Sequence, residues 1–348
     1  VCPPREYQPL PDTLYTSNGD GTFRDVSREV GLRVEGEGLG KGLGVLLADV
    51  DVDGDLDIYV ANDTVPNFLY RNNGQGHFDE VGLMSGTSLS ESGTSDGSMG
   101  VDLGDFNLDG LPDLWVANYE RESFALYRNE GNCNFQHVSQ SVGLTDVGGV
   151  YVGWGTVFFD FDRDGDEDVF VSNGHVVRFP DNAPLRQTPL LFENNAGKRF
   201  RNVAPAAGTY LATPHMGRGT VAGDIDNDGD LDLVVSNTNE PVAVLSNESD
   251  NQHHWISFKL VGTTSNRDAV GARIRIRVGQ QHQTRQLKGG TSYASSSDPR
   301  LFFGLGEATN VEEIEIHWPS GNVQTLQNVS ADQVLLIHEL APVLGQRF

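Results

Sequence analysis

Four stretches of the chain place acidic or amide side chains at alternate positions: DVDVDGDLD at 49–57, DFNLDGLPD at 105–113, DFDRDGDED at 160–168 and DIDNDGDLD at 224–232. In a loop of this kind, side chains one, three and five project into one concavity. The glycine at six permits a positive-φ turn, and the carboxylate at nine closes the cage. An oxygen-only donor set of this density suits a hard cation, Ca²⁺ before Mg²⁺ or a transition metal. The expected ligands are Asp49, Asp51, Asp53 and Asp57; Asp105, Asn107, Asp109 and Asp113; Asp160, Asp162, Asp164 and Asp168; and Asp224, Asp226, Asp228 and Asp232. Position seven, held by Asp55, Leu111, Asp166 and Asp230, is expected to offer its backbone carbonyl, since a leucine there has no side-chain ligand to give. The competing description is four solvated acidic turns. Adjacent carboxylates about 4 Å apart repel by ~1 kcal/mol per pair in water and by more in protein, so four packed together without a cation would cost several kcal/mol. About four Ca²⁺ ions are therefore expected.

Other chemistry is signalled weakly. His175 (in SNGHVV), His215 (in PHMGRG) and Arg218 fall just outside strands in equivalent parts of the repeat described below. Loops at one end of a propeller converge on its axis, so these three could face one pocket and bind an anionic or sugar ligand; the alternative is ordinary loop packing. His253 and His254 read as linker residues. No GxSxG, HExxH, P-loop or Cys-rich metal spacing occurs.

The acidic loops belong to a larger repeat. Each leads into a short apolar strand, as in DIYVAN (57–62) and DLWVAN (113–118), and successive loops begin 56, 55 and 64 residues apart. A second signature alternates with them: LYTSNGDGTFRDVS (14–27), LYRNNGQGHFDEVG (69–82), LYRNEGNCNFQHVS (126–139) and LFENNAGKRFRNVA (191–204). One unit is then a four-stranded meander, with the acidic loop between strands one and two and an Asn/Gly turn between strands three and four. Recurring four-stranded units are the sequence sign of a β-propeller. Tyr70, Tyr127 and Trp115 read as blade core rather than sugar platforms. The chain opens at strand three of a unit, runs through three whole units, and ends the series after strand three of a last one near Asn247. That phase suggests the C-terminal part of a larger, about seven-bladed ring.

From about Asn251 the acidic loops stop. Residues 251–348 hold 9 basic and 8 acidic side chains, against 15 and 41 in residues 1–250. Alternating strands are read at 253–262, 272–278, 283–290, 300–306, 312–321, 322–329 and 333–339. The expected fold is thus all-β: propeller repeats over 1–250, a small β-sandwich over 251–341 and a tail over 342–348.

Composition sets outer limits. A formal charge of −25 argues against nucleic acid or anionic lipid as default partners. No apolar run approaches the ~18 residues of a membrane span. Cys2 and Cys133 are the two cysteines; Cys2 is expected either to pair with an upstream segment or to stay a free thiol. Sequons at Asn62, Asn247 and Asn328 are near background for this composition.

The repeats resemble the FG-GAP or VCBS type found in integrin α-chain propellers and in many bacterial exported proteins. The closing segment, with Ser265-Asn266-Arg267-Asp268, Gly271-Ala272-Arg273, Phe303-Gly304-Leu305-Gly306 and Trp318-Pro319-Ser320-Gly321, is similar to the ASPIC/UnbV domain. Together they mark the cartilage acidic protein-like family. The resemblance implies further repeats ahead of a segment like Val1-Cys2-Pro3-Pro4. It also implies an exported protein, extracellular, periplasmic or at the cell surface. Weak calcium sites suit that setting, where Ca²⁺ is plentiful. The function expected is a calcium-stabilised binding or scaffold module. Its partner would be a protein or carbohydrate, further blades or another subunit. The alternative is a carbohydrate-active enzyme of the lyase or dehydratase type using the axial polar cluster.

Overall fold

Each acidic loop joins the first and second strands of one sheet. The structure, a computed structural model, describes residues 4–33, 39–249, 252–340 and 344–345. Three units form complete antiparallel meanders. The first blade runs Gly42–Ala48, Asp57–Asn62, Phe68–Asn72 and Phe78–Glu80. The second runs Val101–Gly104, Asp113–Val116, Ala125–Asn129 and Phe135–His137. The third runs Gly153–Phe159, Asp168–Asn173, Leu190–Asn194 and Phe200–Asn202. Ahead of them stands a half-blade, the hairpin Tyr15–Ser17 with Phe23–Asp25; behind them comes a three-stranded last blade, Gly217–Gly223, Asp232–Asn237 and Ala243–Leu245. Among the described residues no backbone pairing joins the half-blade to the last blade. Cys2 lies outside the described residues, as does the expected boundary at residues 250–251.

First strands of successive blades lie side by side and form the inner edge of the array. Strand alternation sends one set of apolar side chains to each neighbouring blade. Leu46, Tyr59 and Leu69 of the first blade meet Val101, Leu114 and Tyr127 of the second. Phe106, Trp115 and Leu126 of the second meet Phe158, Val169 and Phe192 of the third. Four glycines, each five residues ahead of an acidic loop, allow the inner strands to close up. A Cβ on Gly44 would lie 2.3 Å from the carbonyl oxygen of Met99, one on Gly100 1.8 Å from that of Trp154, and one on Gly155 2.4 Å from that of Arg218.

Residues 254–345 supply two further four-stranded sheets. One orders Leu301–Gly306, His254–Val261, Gln333–His338 and Leu344–Gly345, with the middle pair parallel. The other orders Gln281–Gln286, Arg273–Val278, Asn310–His317 and Val323–Ser330. Their facing sides enclose Ile256, Phe258, Ile274, Ile276, Phe303, Ile314, Ile316 and Ile337. The strand read at 283–290 stops at Gln286. The chain then leaves the sandwich as a strap, residues 287–300, that runs along the inner strands of all four blades. Gly289 bridges Leu47, Ser292 bridges Val101, the Ser292 hydroxyl accepts the Thr156 N–H at 3.0 Å, and the Asp298 N–H donates to the Ala222 carbonyl at 3.0 Å.

Candidate metal centres

The four loops share one backbone scaffold. In each, the aspartate at position one accepts the N–H groups of positions five and six at 2.9–3.2 Å. Position nine accepts the N–H of position two and that of an asparagine that ends the third strand or, in the last blade, just follows it, Asn72, Asn129, Asn194 or Asn247, at 2.8–3.2 Å. The carboxylate at nine therefore fastens the loop to its own blade. Position six is a left-handed glycine in every loop, and position four is left-handed as well, in Val52, Leu108, Arg163 and Asn227. Only Asn227 is a residue type that favours such a conformation, so the paired turns were not legible from composition.

This scaffold gathers oxygen donors. Carboxylate oxygens of Asp49, Asp51 and Asp53 lie within 4.8 Å of one another, as do those of Asp160, Asp162 and Asp168 and those of Asp224, Asp226 and Asp232. In the second loop Asn107 replaces an acid at position three, and its amide donates to Asp109 at 2.8 Å. The position-five carboxylates of Asp53, Asp109, Asp164 and Asp228 each accept the N–H of position seven at 2.9–3.0 Å. Side chains at position seven differ: Asp166 accepts the Ala196 N–H at 2.7 Å, and Asp230 pairs with Arg163 at 3.0 Å.

Burial makes these groups costly as bare anions. It pushes Asp49 up to about 6 and Asp57 and Asp105 up to about 7, with neighbouring carboxylates adding to the rise. Asp113, Asp160 and Asp168 are driven well above the usual carboxylate range for the same reason. Oδ1 of Asp166, a residue 6 % exposed, has no hydrogen-bond partner. An all-oxygen donor set with a surplus of buried negative charge fits a hard divalent cation.

The three axial candidates are each engaged by neighbouring protein groups. His175 is buried; its Nδ1 accepts the Val177 N–H at 2.9 Å, so the proton sits on Nε2, 3.3 Å from the Tyr119 hydroxyl and 3.5 Å from Glu120. His215 stacks on Tyr210 at 3.9 Å and bonds Glu240 at 2.8 Å. Arg218 lies 4.4 Å above the Trp154 ring and donates to the carbonyls of Gly174 and Gly217. Arg218 thus reaches the residue next to His175, and Met216, which follows His215, packs on the same Gly174. His253 bonds the Asp162 carbonyl at 2.8 Å and His254 bonds Asp332 at 2.7 Å. Tyr70, Tyr127 and Trp115 are at most 1 % exposed. Asn62 of the first sequon is fully buried. Cys133 is a buried free thiol whose Sγ lies 3.4 Å from Asp51.

Sequence reasoning missed the side of the sandwich that meets the loops. Gln283, Thr284, Arg285 and Gln286 are consecutive polar residues, yet all are buried. Gln286 exchanges hydrogen bonds with the backbone of Asp49, at 3.1 and 3.3 Å. Arg285 pairs with Glu167 at 3.1 Å, and Glu167 in turn accepts the Asp105 N–H at 2.7 Å. Arg300 donates to the Asp224 carbonyl at 2.6 Å. The available signal was a strand with no apolar alternation, followed by a glycine- and serine-rich stretch.

Family models divide the chain in the same way. Residues 49–116 and 105–171 match the FG-GAP-like repeat family, residues 216–252 the FG-GAP repeat, and residues 262–342 the ASPIC and UnbV family. Cartilage acidic protein 1 of Mus musculus is 25 % identical over 340 residues, covering 95 % of this chain and 49 % of the relative. The Homo sapiens protein of the same name is 24 % identical over 338 residues, covering 95 % and 48 %. The chain thus spans about half the length of the curated relatives it matches. Among solved structures, one of an Agrocybe aegerita lectin superposes with a TM-score of 0.41 at 20 % identity, covering 68 % of this chain and 60 % of that one.

Proposed function

We propose, for a chain that carries FG-GAP repeats closed by an ASPIC/UnbV domain and is homologous to cartilage acidic protein 1, that it is a calcium-binding propeller module acting by binding outside the cell. The observation that carries the calcium reading is the repeated loop scaffold, which in three copies draws three carboxylates within 4.8 Å of one another. Asp49, Asp51, Asp53 and Asp57, with their counterparts in the other loops, would hold the ions, which supply the positive charge that the buried carboxylates lack. The relatives take their name from cartilage, and no helix among the described residues is long and apolar enough to cross a membrane, which fits an exported protein.

The binding reading rests on the two ends of the blade array. Leu69 and Val50 of the first blade are 1 % and 3 % exposed against the second; their counterparts in the last blade, Val244 and Ile225, are 62 % and 54 % exposed. At the other end Tyr15 and Phe23 are 60 % and 66 % exposed, while their counterparts Tyr70 and Phe78 are buried. Apolar faces of this kind suit another blade or a protein partner. Isothermal titration with CaCl₂ and thermal melting with and without EDTA test the calcium part. A site held at about 100 times its dissociation constant contributes ~2.7 kcal/mol. A melting midpoint indifferent to EDTA, with no heat of calcium uptake, would refute it.

A further inference from the structure

The sandwich is packed directly on the acidic loops. Against the first loop stands Gln286, bonded to the Asp49 backbone. The third loop receives most: Arg285 pairs with Glu167, Gln283 crowds Gly165, the Gly306 N–H donates to the Arg163 carbonyl at 2.9 Å, and His253 bonds the Asp162 carbonyl. Gly304 sits so close that a Cβ there would fall 2.2 Å from Oδ2 of Asp160. On the fourth loop, Arg300 bonds both the Asp224 carbonyl and the Asn227 side chain, and Trp255 lies over Gly229. The third loop also holds its neighbours, through Glu167 to the Asp105 N–H and through Arg163 to Asp230. The strap leaves the sandwich immediately beyond these contacts, at Leu287.

These contacts are made by loop backbone and by polar side chains held at fixed positions around clustered carboxylates. A cation held there would offset the repulsion among these carboxylates and keep each loop in the shape that the sandwich fits. We propose that cation occupancy of the acidic loops, the third above all, locks the ASPIC/UnbV sandwich and its strap onto the inner strands of the propeller, so that calcium sets whether the axial face is covered or open. The proposal rests on the calcium reading given above. It adds a consequence: removal of the ion frees residues 281–300 before the blades themselves unfold. The blades are held to one another by apolar interfaces such as Trp115 against Phe158 and Phe192, built chiefly from strand residues, with Phe106 the loop's contribution.

The test uses the full chain in CaCl₂ and in EGTA, with peptide-resolved hydrogen exchange, limited trypsin digestion and calorimetric calcium titration. Lys288 and Arg300, whose side chains are 19 % and 14 % exposed, are the trypsin sites within the strap. The expected result on chelation is an increase of at least about tenfold in exchange over 281–300 and in cleavage after these two residues, equivalent to ~1.4 kcal/mol of local opening. Strand Asp168–Asn173 should keep its protection. Strap protection unchanged between forms that calorimetry shows to be loaded and stripped would overturn the lock while leaving calcium binding intact. Simultaneous loss of protection in strap and blades would also overturn it. Absence of any calcium uptake would instead remove the reading on which it stands. As a second arm, Gly304→Ala should free the strap with calcium present and the first, second and fourth loops still loaded; full strap protection in that variant counts against the proposal.

Discussion

Gly219 lies against Tyr293 as Gly155 lies against Arg218: a Cβ on Gly219 would fall 2.8 Å from the Tyr293 carbonyl oxygen, and one on Gly155 2.4 Å from that of Arg218. In the first three blades, the glycine five residues ahead of the acidic loop meets a carbonyl on, or just ahead of, the next blade's inner strand. At the last blade the strap takes that place, with Ser295 beside it. The strap therefore stands where a further inner strand would run, and the sandwich closes the axial edge of the array.

Alanine at either glycine forces backbone to move. Gly155→Ala presses on two blades fixed by a buried apolar interface and is expected to cost about 2 kcal/mol or more in urea denaturation. Gly219→Ala presses on a strap that can shift, and should cost less. Equal losses would show that the strap is as rigid as a blade.

Asp102 occupies, on the second inner strand, the position that is Leu46, Val157 and Val221 in the other three blades. It is 2 % exposed; its charge is met by Lys288 of the strap at 2.5 Å and by the N–H groups of Leu103 and Phe158. Removing one partner of a buried ion pair costs roughly 3–5 kcal/mol, whereas an apolar replacement of both is often tolerated. Lys288→Met alone should destabilise strongly, and Asp102→Val with Lys288→Met should recover most of the loss. A double variant no more stable than Lys288→Met would show that the pair does not act as a unit.

How much of this was legible follows from the chemistry of each residue. The repeats were readable because every blade has the same needs: an apolar strand on either side of a DxDxDG loop, and an Asn/Gly turn two strands later. Asp102 was not, because its partner lies 186 residues away. The strap escaped because an extended segment paired by isolated bridges needs no hydrophobic period. The axial histidines were found as residues but not as partners, since Glu120 and Glu240 sit in loops whose meeting only the fold determines.

Glu339 predicts an acid limb for the sandwich. It is 1 % exposed and accepts the N–H groups of Thr263, Thr264 and Ser265 together with the side chains of Ser265, Ser320 and Asn322. These donors outweigh the cost of burial and hold its carboxyl well below the usual range. A depressed folded pKa gives stability that is present above the unfolded value of 4.5 and lost as pH falls below it. Glu339→Gln should lower stability at pH 7 and flatten the acid limb of a melting curve against pH. An unchanged limb would locate the acid sensitivity elsewhere.

The loops predict the opposite slope. Asp49, Asp57 and Asp105 are raised from 3.8 to between about 6 and about 7, chiefly by burial. The unfolded chain then binds fewer protons than the folded one, so in EGTA their contribution becomes destabilising as pH rises through that window. Calcium bound by these groups would displace those protons, so its affinity should grow over the same range. Melting in EGTA that improves from pH 4 to 7, with calcium affinity flat, would contradict the assignment of these groups as ligands.

The last prediction concerns the open face of the last blade. In each inner interface an asparagine of one blade bonds the carbonyl at loop position two of the blade before it: Asn129 to Val50, Asn194 to Phe106 and Asn247 to Phe161, at 2.7–2.8 Å. Ile225 holds the next position in that series, and its side chain and that of Val244 are more than half exposed. Burial of such side chains contributes about 1.5–3 kcal/mol each where a neighbour covers them. Val50→Asp or Leu69→Asp, inside the array, should therefore unfold the first two blades or lower the melting midpoint sharply. Ile225→Asp with Val244→Asp should leave the midpoint of the chain nearly unchanged, within the ~0.5 kcal/mol typical of surface positions. The same double variant should abolish self-association or partner capture measured by light scattering, since the face would no longer be apolar. A large loss of stability in the isolated double variant would mean that the chain already covers this face, and that its binding surface lies elsewhere.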